Sequence, residues 1–246
     1  FPNSREILAE GIRMIIANLN FTLINKSSEK RRSNVILVTS SVKGEGKTIV
    51  SVNAASVLSS KYKKVLLLGA DLRNPQIHKF LSVKKNMKGL SNFIYKDQED
   101  WSKYIIKHQN FDVMLSGTIP PNPNQLLSSE KFKEFINEAK KQYDCIVIDS
   151  APCLIVSDTF EISKYVDSTI YVLRANFSRI NVINFLVDCF EKEKLPNISL
   201  VLNSVGNSAS YGYKYGYQYG YKYGYKYSYN YNYGYGYGYS QDKSDS

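Results

Sequence analysis

Asn34-Val35-Ile36-Leu37-Val38-Thr39 runs directly into Ser40-Ser41-Val42-Lys43-Gly44-Glu45-Gly46-Lys47-Thr48, and from there into the helix-like segment Ile49 to Ser60. An apolar strand, a glycine-bearing turn and a helix, in that order, make a phosphate-binding loop. Glycines let backbone N–H groups approach a polyphosphate, Lys47 neutralises its outer oxygens, Thr48 offers a hydroxyl to Mg2+, and the helix N-terminus adds a favourable partial charge. Lys43 to Ile49 is thus the expected segment for ATP or GTP. Ser41 stands where the usual pattern has its first glycine, which places the loop among deviant versions.

Similar apolar runs recur at Val65 to Gly69, Asp112 to Leu115, Cys145 to Asp149, Thr169 to Leu173 and Ser199 to Asn203. Runs such as VLLL and CIVI suit strands covered on both faces, and helix-like stretches separate most of them. The expected fold class is α/β: a P-loop NTPase with a mostly parallel, doubly wound sheet flanked by helices. Ligands of such sheets bind at the carboxyl ends of the strands. Two runs end there in carboxylates, Asp71 and Asp149. Asp149 reads as a holder of the Mg2+ shell, and Asp71 as a group that assists the metal or polarises an attacking hydroxyl. An aspartate ending a strand can also be only a helix cap.

The chain has 246 residues, 43% of them hydrophobic, and a formal charge of +10. That suffices for one sizeable core, while the apolar runs are far shorter than a bilayer needs. It begins at Phe1, so it reads as a piece of a longer or processed polypeptide whose membrane anchor could lie upstream. Cys145, Cys153 and Cys189 form no CxxC pair and are expected to be reduced thiols. From Tyr211 onward the composition changes. Tyr211, Tyr213, Tyr215, Tyr217, Tyr219, Tyr221, Tyr223, Tyr225, Tyr227, Tyr229, Tyr231, Tyr233, Tyr235, Tyr237 and Tyr239 alternate with Gly, Lys, Asn, Gln or Ser. With no apolar face, the tract reads as a disordered tyrosine-rich tail. It is either an adhesive tract or a bank of phosphate acceptors. At about 1.5 to 2 negative charges each, roughly five to seven phosphotyrosines would cancel the chain's positive excess. The expected organisation is an N-terminal helix and linker over 1–33, a P-loop domain over 34–207 and the disordered tyrosine-rich tail over 208–246.

Lys47-Thr48, the run ending Asp71-Leu72-Arg73, the run ending Asp149-Ser150-Ala151-Pro152 and the tyrosine-rich end together resemble the bacterial protein-tyrosine kinases of capsule and exopolysaccharide systems. Leu115-Ser116-Gly117, Pro120-Pro121-Asn122-Pro123, Leu126-Leu127 and the opening Glu10-x-x-Arg13 with Asn18-Leu19 add to the match, which covers nearly the whole chain. The resemblance implies an ATP- and Mg2+-dependent enzyme whose tail tyrosines are phosphorylated between subunits of a ring. It also implies a membrane-embedded activator segment or partner, a polysaccharide export machinery, and a place at the cytoplasmic face of the inner or plasma membrane, with no nucleic acid. Lys47 and Asp71 would be catalytic; Lys43, Gly44, Glu45, Gly46, Lys47, Thr48, Ile49 and Asn203 would bind ATP, Asn203 through the adenine; Thr48, Asp71 and Asp149 would hold the metal. Glu10 and Arg13 match the ring-forming motif, but Ile16 occupies its last arginine position. Gly69 stands where the family has the first aspartate of an Asp-x-Asp pair.

Lys43 also fits ATPase positioning switches of the ParA/MinD kind, in which such a lysine reaches across a dimer and the output is membrane or DNA binding. It could equally serve ATP in cis or be a solvated loop lysine. A third reading is a nucleotide-binding scaffold with an adhesive tail. Basic clusters at Lys26 to Arg32, Lys61 to Lys64 and Lys84 to Lys88 are solvated faces or surfaces for anionic membranes, phosphorylated tails or DNA.

Overall fold

The computed structural model describes residues 10–17, 33–96 and 99–205. Asn18-Leu19, Lys26 to Arg32 and the tail tyrosines lie outside these residues. The compact body extends to Asn203. Its strands are β1 (Asn34–Ser40), β2 (Val65–Gly69), β3 (Ile105–His108), β4 (Phe111–Met114), β5 (Cys145–Asp149), β6 (Ser168–Arg174) and β7 (Ile198–Asn203). They form one sheet in the order β3-β4-β2-β5-β1-β6-β7. All neighbours pair in parallel except β3 with β4.

The side-chain period of two sorts each central strand between two apolar layers. Val35, Leu37, Leu66, Leu68, Ile146 and Ile148 join the layer that holds Phe132, Phe135 and Ile136 of α6 (Glu130–Gln142). Ile36, Val38, Val65, Leu67 and Val147 join the opposite layer, with Val50, Ala54 and Leu58 of α2 (Lys47–Leu58). Ser129 caps α6 by accepting from the Phe132 amide at 3.2 Å, and Phe132, Phe135, Ile136 and Ala139 form its buried stripe. The described residues 10–17 are helical (α1), and Ile12 and Ile16 belong to the α2 layer.

The six apolar runs are all strands, and the expected doubly wound architecture is present. A seventh strand was not expected. β3 pairs antiparallel with β4 through a turn at Gln109-Asn110, with Gln109 at φ 45°. It is a half-buried edge strand that ends in Lys107 and His108, so it lacks the continuous apolar run that marks the others.

Candidate active site

The phosphate loop leaves the carboxyl end of β1 and turns through Gly44 (φ 95°) and Gly46 (φ 103°), a region in which side chains are strained. At Gly46 a Cβ would also stand 2.1 Å from Asn203 Nδ2. α2 starts immediately afterwards, so Lys47 and Thr48 lie in its first turn, where unpaired N–H groups favour an anion. Both residues are buried.

Register places the two aspartates close by. Gly69 and Asp149 are partners across β2 and β5, and the Ala70 amide donates to the Asp149 carbonyl at 2.8 Å. Asp71 Oδ1 accepts from the backbone amides of Arg73 (3.2 Å) and Asn74 (2.9 Å), which fixes the carboxylate. Its Oδ2 lies 3.1 Å from Lys47 Nζ and accepts no hydrogen bond among the described residues. Asp149 Oδ1 accepts from Ser51 Oγ at 3.0 Å. Burial pushes the Asp149 carboxyl up to about 6, with the Lys47 ammonium opposing that rise and the Asp71 carboxylate adding to it. One ammonium therefore faces two carboxylates in a dry site, which leaves an excess negative charge suited to a divalent cation.

The residues present fit Mg2+. Asp71 Oδ2 is a buried oxygen without a hydrogen bond, and Thr48 and Asp149 supply further hard oxygen donors. Among the described residues no cluster of three or more His, Cys, Asp or Glu could cage a metal. Mg2+ ordinarily needs no such cage, because one or two carboxylates and substrate phosphates hold it.

The remaining expected residues are distributed around this centre. Glu45 is fully buried, accepting from the Val42 amide at 2.7 Å and from Ser178 Oγ. Asn203 Nδ2 donates to the Glu45 carbonyl at 3.0 Å, so here it braces the loop. Lys43 is exposed at the loop's tip and Ile49 is half-buried. Glu10 and Arg13 form an exposed ion pair of 2.8 Å on α1. Ile16 points into the core, because steps of three along a helix of 3.6 residues per turn rotate steadily away from the face that Glu10 occupies.

Several neighbours were not legible in the sequence. Arg174 Nη1 donates to the Gly44 carbonyl at 3.0 Å and its guanidinium lies 5.1 Å from the centre of the Phe177 ring. Arg73 clamps the fully buried Asp158 with two bonds of 2.7 and 3.0 Å. At Gly69 a Cβ would meet Ser116 Oγ at 2.8 Å and the Ser116 amide nitrogen at 2.9 Å, so Ser116 fills the space a side chain there would need. Cys145, Cys153 and Cys189 are free and buried, and burial raises their thiol pKa values, that of Cys153 to about 12. None is poised as a nucleophile.

The family model described as an AAA domain matches residues 33–192. Tyrosine-protein kinase YwqD of Bacillus subtilis is 32% identical over 169 residues, 69% of each chain. Tyrosine-protein kinase Wzc of Salmonella typhi is 32% identical over 209 residues, which make up 85% of this chain and 28% of that protein. The chain thus spans little more than a quarter of the longer relatives. The kinase domain of Escherichia coli tyrosine kinase ETK superposes with a TM-score of 0.73 at 26% identity, covering 93% of this chain and 81% of that one. The VpsO kinase domain gives 0.68 at 29%, covering 83% of this chain and 100% of that one. A plasmid partition protein from Borrelia burgdorferi gives 0.57 at 20%, a likeness of fold alone. With its phosphate loop and paired strand-end aspartates, the chain belongs to the bacterial tyrosine-protein kinases built on an AAA domain.

Proposed function

We propose that this chain is an ATP- and Mg2+-dependent protein-tyrosine kinase that phosphorylates the Tyr211 to Tyr239 cluster of a neighbouring copy. The observation that carries this reading is the meeting of Lys47, Thr48, Asp71 and Asp149 at one sheet edge, in a chain that also bears fifteen alternating tyrosines. Lys47 draws charge off the phosphates as the bond to the leaving group loosens, and the first-turn amides of α2 hold their oxygens. Thr48, Asp71 and Asp149 would hold the metal, which supplies charge neutralisation across the transferred group. Asp71, fixed by two backbone amides, orients the incoming phenol. Gly69 brings no second carboxylate, so positioning and electrostatics carry the rate. A general base typically adds about 10² to 10⁴-fold, so the enzyme is expected to be slow.

By the same reading, copies assemble through α1, with a contact weakened at Ile16. They work beside a membrane-embedded activator in capsule or exopolysaccharide export, at the cytoplasmic face of the membrane. Among the described residues no helix is long and apolar enough to cross a membrane.

The test is to incubate phosphatase-treated protein with Mg-ATP beside a Lys47→Met control and read intact and tail-peptide masses. Phosphate on the tail tyrosines, lost in the control, supports the reading. Release of ADP and phosphate without phosphotyrosine would favour the positioning switch, for which the exposed Lys43 is the supporting observation. Lys43→Ala should then abolish ATP-dependent dimerisation.

A further inference from the structure

At the sheet edge opposite the phosphate loop, Ser33, Lys61, Tyr62 and Lys63 meet Lys140 to Asp144 around a pocket of about 530 Å3. These residues precede β1, β2 and β5, which are adjacent in the sheet. The five residues of β5 therefore separate the pocket from Asp149 by about 17 Å.

Four lysines and one carboxylate line it. The carboxyl ends of α2 and α6 lie nearby and each carry about half a negative charge, so a positive excess of roughly two charges remains. Lys140 Nζ donates to the Tyr165 carbonyl at 2.7 Å, and Lys61 Nζ lies 5.1 Å from the centre of the Tyr62 ring. Lys63 and Lys141 form no ion pair among the described residues. Asp144 is already engaged, since its Oδ2 accepts from the Lys64 amide at 3.0 Å.

Two further features point to a ligand. Ser33 is 6% exposed and its Oγ has no hydrogen-bond partner among the described residues, a cost that an incoming acceptor would remove. Two phenol rings stand in the wall, held by bonds from Asn34 Nδ2 to the Tyr62 hydroxyl (3.0 Å) and from the Tyr143 hydroxyl to Asp112 (2.8 Å). Lysines, a buried hydroxyl donor and aromatic walls in one recess fit an aryl phosphate. A flat bilayer surface would reach the lysine tips but not the recessed Ser33 hydroxyl.

We propose that this pocket binds phosphotyrosine, supplied by the tyrosine tract of a second copy of the chain. The inference rests on the kinase reading for the origin of its ligand. A modified tyrosine held there is kept out of the nucleotide site, so the product of one transfer does not obstruct the next.

The test uses the full chain, phosphatase-treated, repurified and without ATP. A fluorescent synthetic peptide of residues 221–229, phosphorylated at Tyr225 or not, is titrated against it by anisotropy. The phosphopeptide should bind more tightly than its unmodified twin, and the double variant Lys63→Ala/Lys141→Ala should weaken it roughly tenfold, as expected for two partly solvated ion pairs. The melting temperature of that variant checks its fold, and both lysines are exposed. Equal affinity for both peptides, or an unchanged affinity in a folded variant, overturns the proposal. So does phosphopeptide binding weaker than lysine-dependent binding to phosphatidylglycerol vesicles, which would assign the lysines to a membrane. Because the phosphate is synthetic, the result stands apart from whether the chain makes phosphotyrosine.

Discussion

Replacing Asp149 with asparagine should make the nucleotide-free protein more stable at neutral pH while abolishing phosphotransfer. The carboxyl titrates near 6 in the folded chain, against an ordinary value of 3.8, chiefly because it is buried. The folded state therefore holds this proton more tightly than the unfolded state. Its stabilising effect is complete below about pH 4 and is lost as pH rises through 6. Holding the ionised form at pH 7.5 costs about 3 kcal/mol, roughly half of that at pH 5 and only a small remainder at pH 4. An amide of the same shape escapes that penalty, and its oxygen can still accept from Ser51. In EDTA and without nucleotide, Asp149→Asn should thus melt roughly 6–12 °C above the parent at pH 7.5. Urea titrations at pH 7.5, 5 and 4 would follow the gap as it closes. A variant no more stable than the parent at pH 7.5, or a gap that widens on acidification, refutes the reasoning.

Gly69→Asp restores the family's carboxylate in sequence but collides with Ser116, so it should destabilise by about 1–3 kcal/mol and leave the phosphate incorporated per minute no higher. Melting curves and intact mass would check both parts. Arg73→Ala leaves the Asp158 carboxylate buried without its cation; since Arg73 is itself half-exposed, the loss in urea unfolding should be about 2 kcal/mol, with Arg73→Lys recovering only part of it. Gly46→Ala meets both the positive φ and the Asn203 amide, so nucleotide binding followed by fluorescent ATP analogue should drop at least roughly tenfold.

Strands β1, β2 and β5 were legible because both their faces are buried and their runs are unbroken. The loop, Lys47, Thr48 and the strand-end aspartates could be read for a related reason: local order and parallel register suffice to gather them at one edge. β3 was hidden by its exposure and by a turn without glycine. The Arg73–Asp158 clamp joins positions 85 residues apart, and Ser178 meets Glu45 across 133. No spacing rule announces such pairs. The absent carboxylate at position 69 was visible in sequence, but its occupant, Ser116, belongs to the turn after β4 and appears only when β2 and β4 pair. The pocket beneath the sheet is similar: its lysines come from two stretches nearly eighty residues apart that look like ordinary solvated runs.

The burial of Ile12 and Ile16 beside α2 bears on where this module can be cut. The region recognised by the family model, 33–192, omits both α1 and β7. Yet Ile12, Ile16 and Val201 share an apolar layer with Val50 and Ala54, and Asn203 steadies the loop backbone at Glu45. Trimming to the recognised limits would strip Ile12, Ile16 and Val201 from that layer and turn β6 into an open margin for pairing with other chains. The region recognised by the family model is therefore narrower than the piece that packs together, and a transplant of this unit into another protein has to include residues 10–17 and run through 203.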